Sequence, residues 1–273
     1  MRTSWKSAWH VLLLGAVFIS LFPLVWMAGA ALKTQDQIFT EFLNPVPKPF
    51  TLENLVYVWD RIPVLRYFMN SFVVAAMVTA AQVSTSLLAA YGFTQFRFPG
   101  RDFLFYFALA TILVPVQVTM LPNYLLVAEL GWLNTYQGLI VPQLANAFGI
   151  FLLRQAFRSV PASLIEAARV DGAGHWGILR RVLIPSTRPA IVAFSILTFI
   201  NVWNEYFWPL LVSNDPRMLT LPLALQTFSN LEGGTSWGPM MAAASLTALP
   251  PLIAYLFAQR QVVDSFLSTG LKG

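Results

Sequence analysis

Glu205 lies within the fifth long apolar stretch of the chain, and Thr198, Asn201, Asn204 and Trp208 recur around it at spacings of three and four. On a helix, such spacing gathers side chains on one face. An ionisable group at a bilayer centre costs on the order of 2.5 to 3.5 kcal/mol on insertion scales, so this face is expected to point at a bundle interior or water and to line a path. The structural alternative makes Glu205 a solvent-reaching or helix-holding group at the outer interface, with Trp203, Tyr206 and Trp208 as an aromatic belt. Weaker polar stripes repeat the theme: Thr79, Gln82 and Ser86 share a face of the second stretch, and Gln143 and Asn146 share one on the fourth. Amides and hydroxyls donate and accept, which suits polyhydroxylated ligands and also suits contacts between helices.

A second constellation is charged and lies between two apolar stretches: Glu166-Ala167-Ala168-Arg169-Val170-Asp171-Gly172, running on to Val182-Leu183-Ile184-Pro185. Ser163 and Glu166 have the spacing of a capping box. Ala167 and Ala168 favour a short helix, and Asp171-Gly172 supplies a turn with positive φ. A second helical run is expected from about His175 to Leu183, ended by the effect of Pro185 on Ile184. Helix, bend and helix with small side chains at the bend form a shape that docks into a groove on a partner. Capping alone could also account for Glu166.

Catalysis is poorly provided for. The chain has no cysteine, which excludes a disulfide framework and a thiol nucleophile. Its histidines are His10, opening the first apolar stretch, and His175, in the polar loop, so neither is placed mid-bilayer beside a nucleophile. No Gly-x-x-x-x-Gly-Lys-Ser/Thr phosphate loop occurs.

The elements that must position these groups are membrane spans. Apolar residues make up 57% of the chain and charged ones 11%, too greasy and charge-poor for an ordinary soluble domain. Crossing about 30 Å of hydrocarbon takes about 20 residues. Six stretches qualify, near 9 to 32, 68 to 94, 103 to 122, 138 to 157, 189 to 212 and 238 to 258. The first is longer than a signal-peptide core and is expected to be an uncleaved anchor. Pro115, Pro142, Gly149 and Pro250-Pro251 fall within spans and imply breaks satisfied by neighbouring helices or water. The outer segment from Lys33 to Arg66 is expected to be extended, then briefly helical around Leu52 to Trp59. With the N-terminus inside, the inner segments hold most of the 17 basic residues, and the outer loops carry more acids than bases. That asymmetry places both chain ends and the Glu166 loop in the cytoplasm, so the net charge of +5 reflects topology and calls for no nucleic-acid partner.

The longer pattern resembles that of binding-protein-dependent ABC importer permeases: Glu-Ala-Ala, three residues, Gly, nine residues, Ile, one residue, Leu-Pro. Glu166, Ala167, Ala168, Gly172 and Pro185 match, while Val182 stands for Ile and Ile184 for Leu. Asn70-Ser71, Pro115 to Pro122, Leu130-Gly131-Trp132-Leu133-Asn134-Thr135, Trp203-Asn204-Glu205-Tyr206 and the terminal Gly270-Leu271-Lys272-Gly273 extend the resemblance to the second permease of carbohydrate importers, the family of the maltose and glycerol-3-phosphate permeases.

The resemblance implies an all-α polytopic membrane protein with six transmembrane helices, of the type I ABC importer permease fold with cytoplasmic coupling helices. It implies one transmembrane permease domain over 1–273, with a coupling loop at about 158–186, in a bacterial or archaeal cytoplasmic membrane. The implied partners are a second homologous permease subunit, two ATP-binding subunits and an extracytoplasmic solute-binding protein, besides membrane lipid. No cofactor is expected on this chain, since ATP and Mg belong to the ATPase subunit. Glu166, Ala167, Ala168, Asp171 and Gly172 would dock on the ATPase. Asn201, Asn204, Glu205, Gln143, Asn146 and Gln82 would contribute to a carbohydrate path. Glycerol-3-phosphate is the alternative cargo, and a proton-coupled carrier built on Glu205 is the rival mechanism. The outer loop from Ser213 to Trp237 resembles one that probes the binding protein, and the C-terminal tail one that contacts the ATPase.

Overall fold

A computed structural model describes residues 2–230 and 234–270, with side chains described at 9–229, 235–257 and 259. Glu232 and the tail residues Leu271, Lys272 and Gly273, which figure in the sequence reading, lie outside the described residues. The described chain is an all-α polytopic membrane fold, with one two-residue β-ribbon pairing Ser229–Asn230 with Gly234–Thr235. Its contacts group it into two compact units, one formed by residues 1–68 and 221–250, the other by 69–220 and 251–273.

The first unit begins with α1 (Arg2–Ala30), whose residues from Val11 to Val25 are almost all exposed. A helix this apolar on every side is stable only against lipid or another apolar surface. Two short helices follow, α2 (Gln35–Thr40) and α3 (Glu53–Arg61). The extended stretch expected before Leu52 is thus shorter than its prolines implied, because Thr34 and Gln37 form a capping box that starts α2. Lys33 is buried and donates through Nζ to the Glu41 carbonyl at 2.9 Å and to that of Asn44. The Asn54 amide donates to the carbonyls of Ala31 and Lys33, at 3.0 and 2.7 Å. These bonds supply polar partners to a loop that has few of its own.

The second unit holds most of the sequence-predicted site. Among the described residues, three helices are long and apolar enough to cross a membrane: Trp9–Ala30 within α1, α4 (Val64–Gln95), and Trp237–Phe257 within the last helix, Trp237–Gly270. Three further helix pairs pass the same test together but are bent. The first is α5 (Arg101–Ala110), continued by a 3₁₀ turn to Leu113, with α6 (Val116–Glu129), at 96°. The second is α7 (Tyr136–Ile140), continued to Gln143, with α8 (Ala147–Arg158), at 48°. The third is His175–Ser186 with Arg188–Trp203, at 80°. Counting each pair as one span gives six.

The third span, expected over 103 to 122, breaks at Pro115, as the position of that proline implied. Pro115 lacks an N–H and holds Val114 extended at ψ 116°, so the chain turns before α6 begins. Pro250-Pro251, by contrast, does not interrupt the last helix.

Two buried apolar clusters hold this unit together. Val74, Val78, Val127, Leu139, Trp208 and Val212 form one. Tyr91, Leu153, Phe157, Ile165, Leu179, Leu183 and Phe194 belong to the other, with Ala90 and Ile178. Gly149 makes the second possible, since a Cβ there would collide with the Phe194 ring and the Ser86 hydroxyl.

Candidate functional site

The loop expected from sequence to couple to a partner is built by α9 (Ala162–Val170), a turn, and α10 (His175–Ile178). Helix α9 starts from Pro161, so Ser163 is already within its first turn and no capping box forms with Glu166. The Glu166 carboxylate is therefore left exposed, and among the described residues it has no hydrogen-bond or ion-pair partner. Ile165 is buried in the second cluster and Ala168 packs against it. With that face turned inward, Glu166, Ala167, Val170 and Asp171 are exposed.

The loop's bend is a Schellman turn. The Gly172 N–H donates to the Arg169 carbonyl at 3.0 Å, and the Ala173 N–H to that of Ala168 at 2.9 Å. Gly172 has φ of 81° with open space around it, so its glycine answers to backbone conformation and not to crowding. His175 Nδ1 is hydrogen-bonded to the Tyr91 hydroxyl at 2.9 Å, which ties the loop to α4. The helical run then continues past the expected end at Leu183. A π turn over Leu179–Leu183 leads into α11 (Ile184–Ser186), with Ile184 helical despite the following Pro185. The π register wraps the chain more loosely there, and the break is delayed to Thr187.

Sequence reasoning missed the apolar knobs of this surface. Leu164, Val170 and Trp176 are 50%, 88% and 66% exposed beside Glu166 and Asp171. Their signal was available: once Ile165 and Ala168 define the inward face of α9, Leu164 and Val170 fall outside it.

The polar residues expected along a path separate into two groups. Gln82, Gln143 and Asn146 come together at the break between α7 and α8. Asn146 Nδ2 donates to Gln82 Oε1 at 2.7 Å, Gln82 Nε2 to the Gln143 carbonyl at 2.6 Å, and Thr85 Oγ1 to the Leu144 carbonyl at 3.1 Å. Asn146 Oδ1 accepts from the Gly149 amide at 3.0 Å and caps α8. The side chains of α4 thus satisfy carbonyls freed by the broken span.

Asn201, Asn204 and Glu205 are not on one continuous face with Thr198 and Trp208. Helix α12 (Arg188–Trp203) ends at Asn204, and a new helix, α13 (Phe207–Val212), follows. Glu205 Oε1 accepts from the amides of Phe207 and Trp208 at 3.0 and 3.2 Å, so its carboxylate caps α13. Carboxylates are well placed at a helix start, where amides lack intrahelical partners. Asn201 and Asn204 are exposed, and Glu205 is half-buried. Trp203 and Trp208 are buried and form no interfacial belt, and the Trp208 indole donates to the Gly138 carbonyl at 3.1 Å.

Two motif residues to which sequence gave no role hold the 214–219 segment to the rest of this unit. Asn70 Nδ2 donates to the carbonyls of Arg217 and Leu219 at 3.0 and 2.9 Å, while its Oδ1 accepts from the Tyr136 hydroxyl at 2.7 Å. Asn134, at φ 57°, accepts through Oδ1 from the amides of Asn214 and Asp215 at 2.6 and 2.7 Å.

Among the described residues, no group of three or more His, Asp or Glu gathers as a metal site. Comparison with known proteins matches residues 82–265 to the model of the binding-protein-dependent transport system inner membrane component. The chain is 34% identical over 267 residues to the sn-glycerol-3-phosphate transport system permease protein UgpE of Yersinia pestis bv. Antiqua, covering 95% of each. The same protein of Brucella suis biovar 1 is 34% identical over 268 residues, again with 95% coverage of both. Among solved structures, a bacterial ABC transporter involved in import of the acidic polysaccharide alginate superposes with a TM-score of 0.82 at 23% identity, covering 94% of this chain and 96% of that one. A bacterial alginate ABC transporter in complex with an alginate pentasaccharide-bound periplasmic protein gives 0.68 at 15% identity, covering 94% and 93%. Family match, relatives and fold agree, and the chain belongs to the binding-protein-dependent inner membrane components, the permease subunits of ABC importers.

Proposed function

We propose that this permease forms one half of the translocation path for a carbohydrate, a mono- or oligosaccharide handed over by an extracytoplasmic solute-binding protein. The chain would act as one permease domain beside a second homologous permease. Two ATP-binding subunits beneath would hold ATP and Mg. The observation that carries this reading is the coupling loop: Ile165 and Ala168 anchor α9 inward, leaving Glu166, Ala167, Asp171 and Gly172 exposed for a partner's groove. ATPase closure would push on this loop, and the 80° bend between His175–Ser186 and α12 would pass the movement to the helix that carries Asn201 and ends at Asn204. The excess of basic residues in the segments read as inner supports a cytoplasmic position for the loop and both chain ends.

For the cargo, the exposed Asn201 and Asn204 offer amides and no charge, while Gln82, Gln143, Asn146 and Glu205 hold the helix breaks around them, which suits a neutral polyol better than a phosphate. The similarity to glycerol-3-phosphate transport system permeases favours a second reading, glycerol-3-phosphate. Reconstitution with the partner subunits and the binding protein decides between them. Uptake of a labelled neutral sugar that persists when the proton gradient is collapsed supports the first reading. Uptake confined to glycerol-3-phosphate supports the second, and loss of uptake with the gradient would sink both.

A further inference from the structure

The turn between α4 and α5 carries an open pocket of about 370 Å³ lined by Arg97, Phe98, Gly100, Arg101, Asp102 and Phe103, and neither the proposed coupling loop nor the polar path uses it. We propose that it holds the phosphate of an anionic phospholipid headgroup.

The charges around it do not balance. Asp102 is the only acid in its lining and is shared, with Oδ1 lying 3.2 Å from Arg101 Nε and 3.6 Å from Arg154 Nη2. Arg154 is buried with its guanidinium 3.8 Å from the centre of the Phe105 ring, and its Nε has no hydrogen-bond partner. Arg158 and Arg101 stand close enough to repel it. Arg97 is exposed and, among the described residues, has no acidic partner. One carboxylate is thus shared by two guanidiniums, one of them almost wholly buried, with Arg97 in the same lining and no acid of its own. An additional anion lowers the energy of such a set, and guanidiniums match phosphate oxygens in geometry. Gly100, at φ 78° with nothing near the position of a Cβ, leaves the mouth of the pocket open.

The apolar side of the pocket identifies a lipid as the source of the phosphate. Phe103 lines the pocket and is 71% exposed, and Tyr106 and Phe107 continue from it on α5 at 66% and 64%. Spacings of three and four put the three rings on one face, in a helix pair apolar enough to span the membrane. A headgroup in the pocket would lay its acyl chains along that track. A soluble phosphate would leave the track unused.

The test is native mass spectrometry of the full-length chain in mild detergent with equal amounts of phosphatidylglycerol and phosphatidylcholine. Binding in detergent needs no transport activity and no particular orientation, so its failure is distinct from failure of the proposed importer function. The expected result is a preference for phosphatidylglycerol of roughly tenfold or more, the order set by two arginines attracting one headgroup. The R97Q/R101Q variant should lose the preference and R97K/R101K should keep part of it. If R97Q/R101Q is not recovered folded, raising the salt concentration on the wild-type chain should erode the same preference. Equal retention of the two lipids by the wild type, or an unchanged preference in R97Q/R101Q, overturns the proposal. Complete displacement of the lipid by millimolar inorganic phosphate would also overturn it, by making the pocket a free-anion site.

Discussion

Asn146, the N-cap of α8, donates to Gln82 of α4 at 2.7 Å, joining a continuous helix to the restart of a broken one. Gln82 is buried and spends its own amide on the Gln143 carbonyl. Both residues were read from sequence as candidates for a polar path, and both are engaged in holding α4 to the break. Gln82→Leu should therefore lower the detergent-solubilised melting temperature, by an amount corresponding to about 0.6 to 2 kcal/mol. A double-mutant cycle with Asn146→Leu should show coupling between the two. Altered cargo preference at unchanged melting temperature would instead make Gln82 a lining residue.

Glu205 needs its acceptor oxygens more than its charge. Glu205→Gln keeps an acceptor for the Phe207 and Trp208 amides, whereas Glu205→Ala leaves them unsatisfied. The expected cost of the alanine variant is about 0.5 to 2 kcal/mol, as for loss of a helix cap. Uptake by the glutamine variant should stay near wild type, and should fall in the alanine variant more than binding-protein-stimulated ATPase activity does. A glutamine variant as defective as the alanine one would make the charge the requirement.

On the coupling surface, Glu166→Lys should abolish binding-protein-stimulated ATPase activity while the chain still inserts. Trp176→Ala and Val170→Ala should weaken capture of the ATP-binding subunit, with Trp176 costing more, on the order of 2 kcal/mol or about thirtyfold, because exposed aromatic anchors dominate interfaces. Wild-type stimulation in E166K, or unchanged capture in W176A, would remove the docking role from those residues.

Gly172 and Asn134 are both left-handed, for different reasons. Gly172→Ala should cost about 1 to 2 kcal/mol through backbone strain alone, since the site is open. At Asn134, glycine relieves the backbone but removes the acceptor for the Asn214 and Asp215 amides. Asn134→Gly should therefore expose the 213–217 segment to protease faster than Asn134→Asp, which keeps that acceptor. Equal cleavage of the two variants would show that the side-chain bonds do not order the loop.

The conformation of the Glu166 loop was legible because its determinants are local. Glu-Ala-Ala and Gly172 at fixed spacing specify a helix and a positive-φ turn within a few residues. The capping box was misread for a reason equally local, since Pro161 starts α9 before Ser163. The fifth span was misread because apolarity does not register a break: Trp203 to Trp208 is polar only at Asn204 and Glu205, yet two helices meet there.

Apolar length, the proline positions and the glycine spacing were enough to determine a polytopic helical membrane protein with a helix-turn-helix loop between two spans, since bilayer thickness and backbone sterics act on consecutive residues. Tertiary structure alone decided whether Gln82 and Asn146 point at a ligand or at each other, and which knobs flank Glu166. A buried amide takes whatever partner the fold brings within 3 Å, and here that partner lies some sixty residues away along the chain.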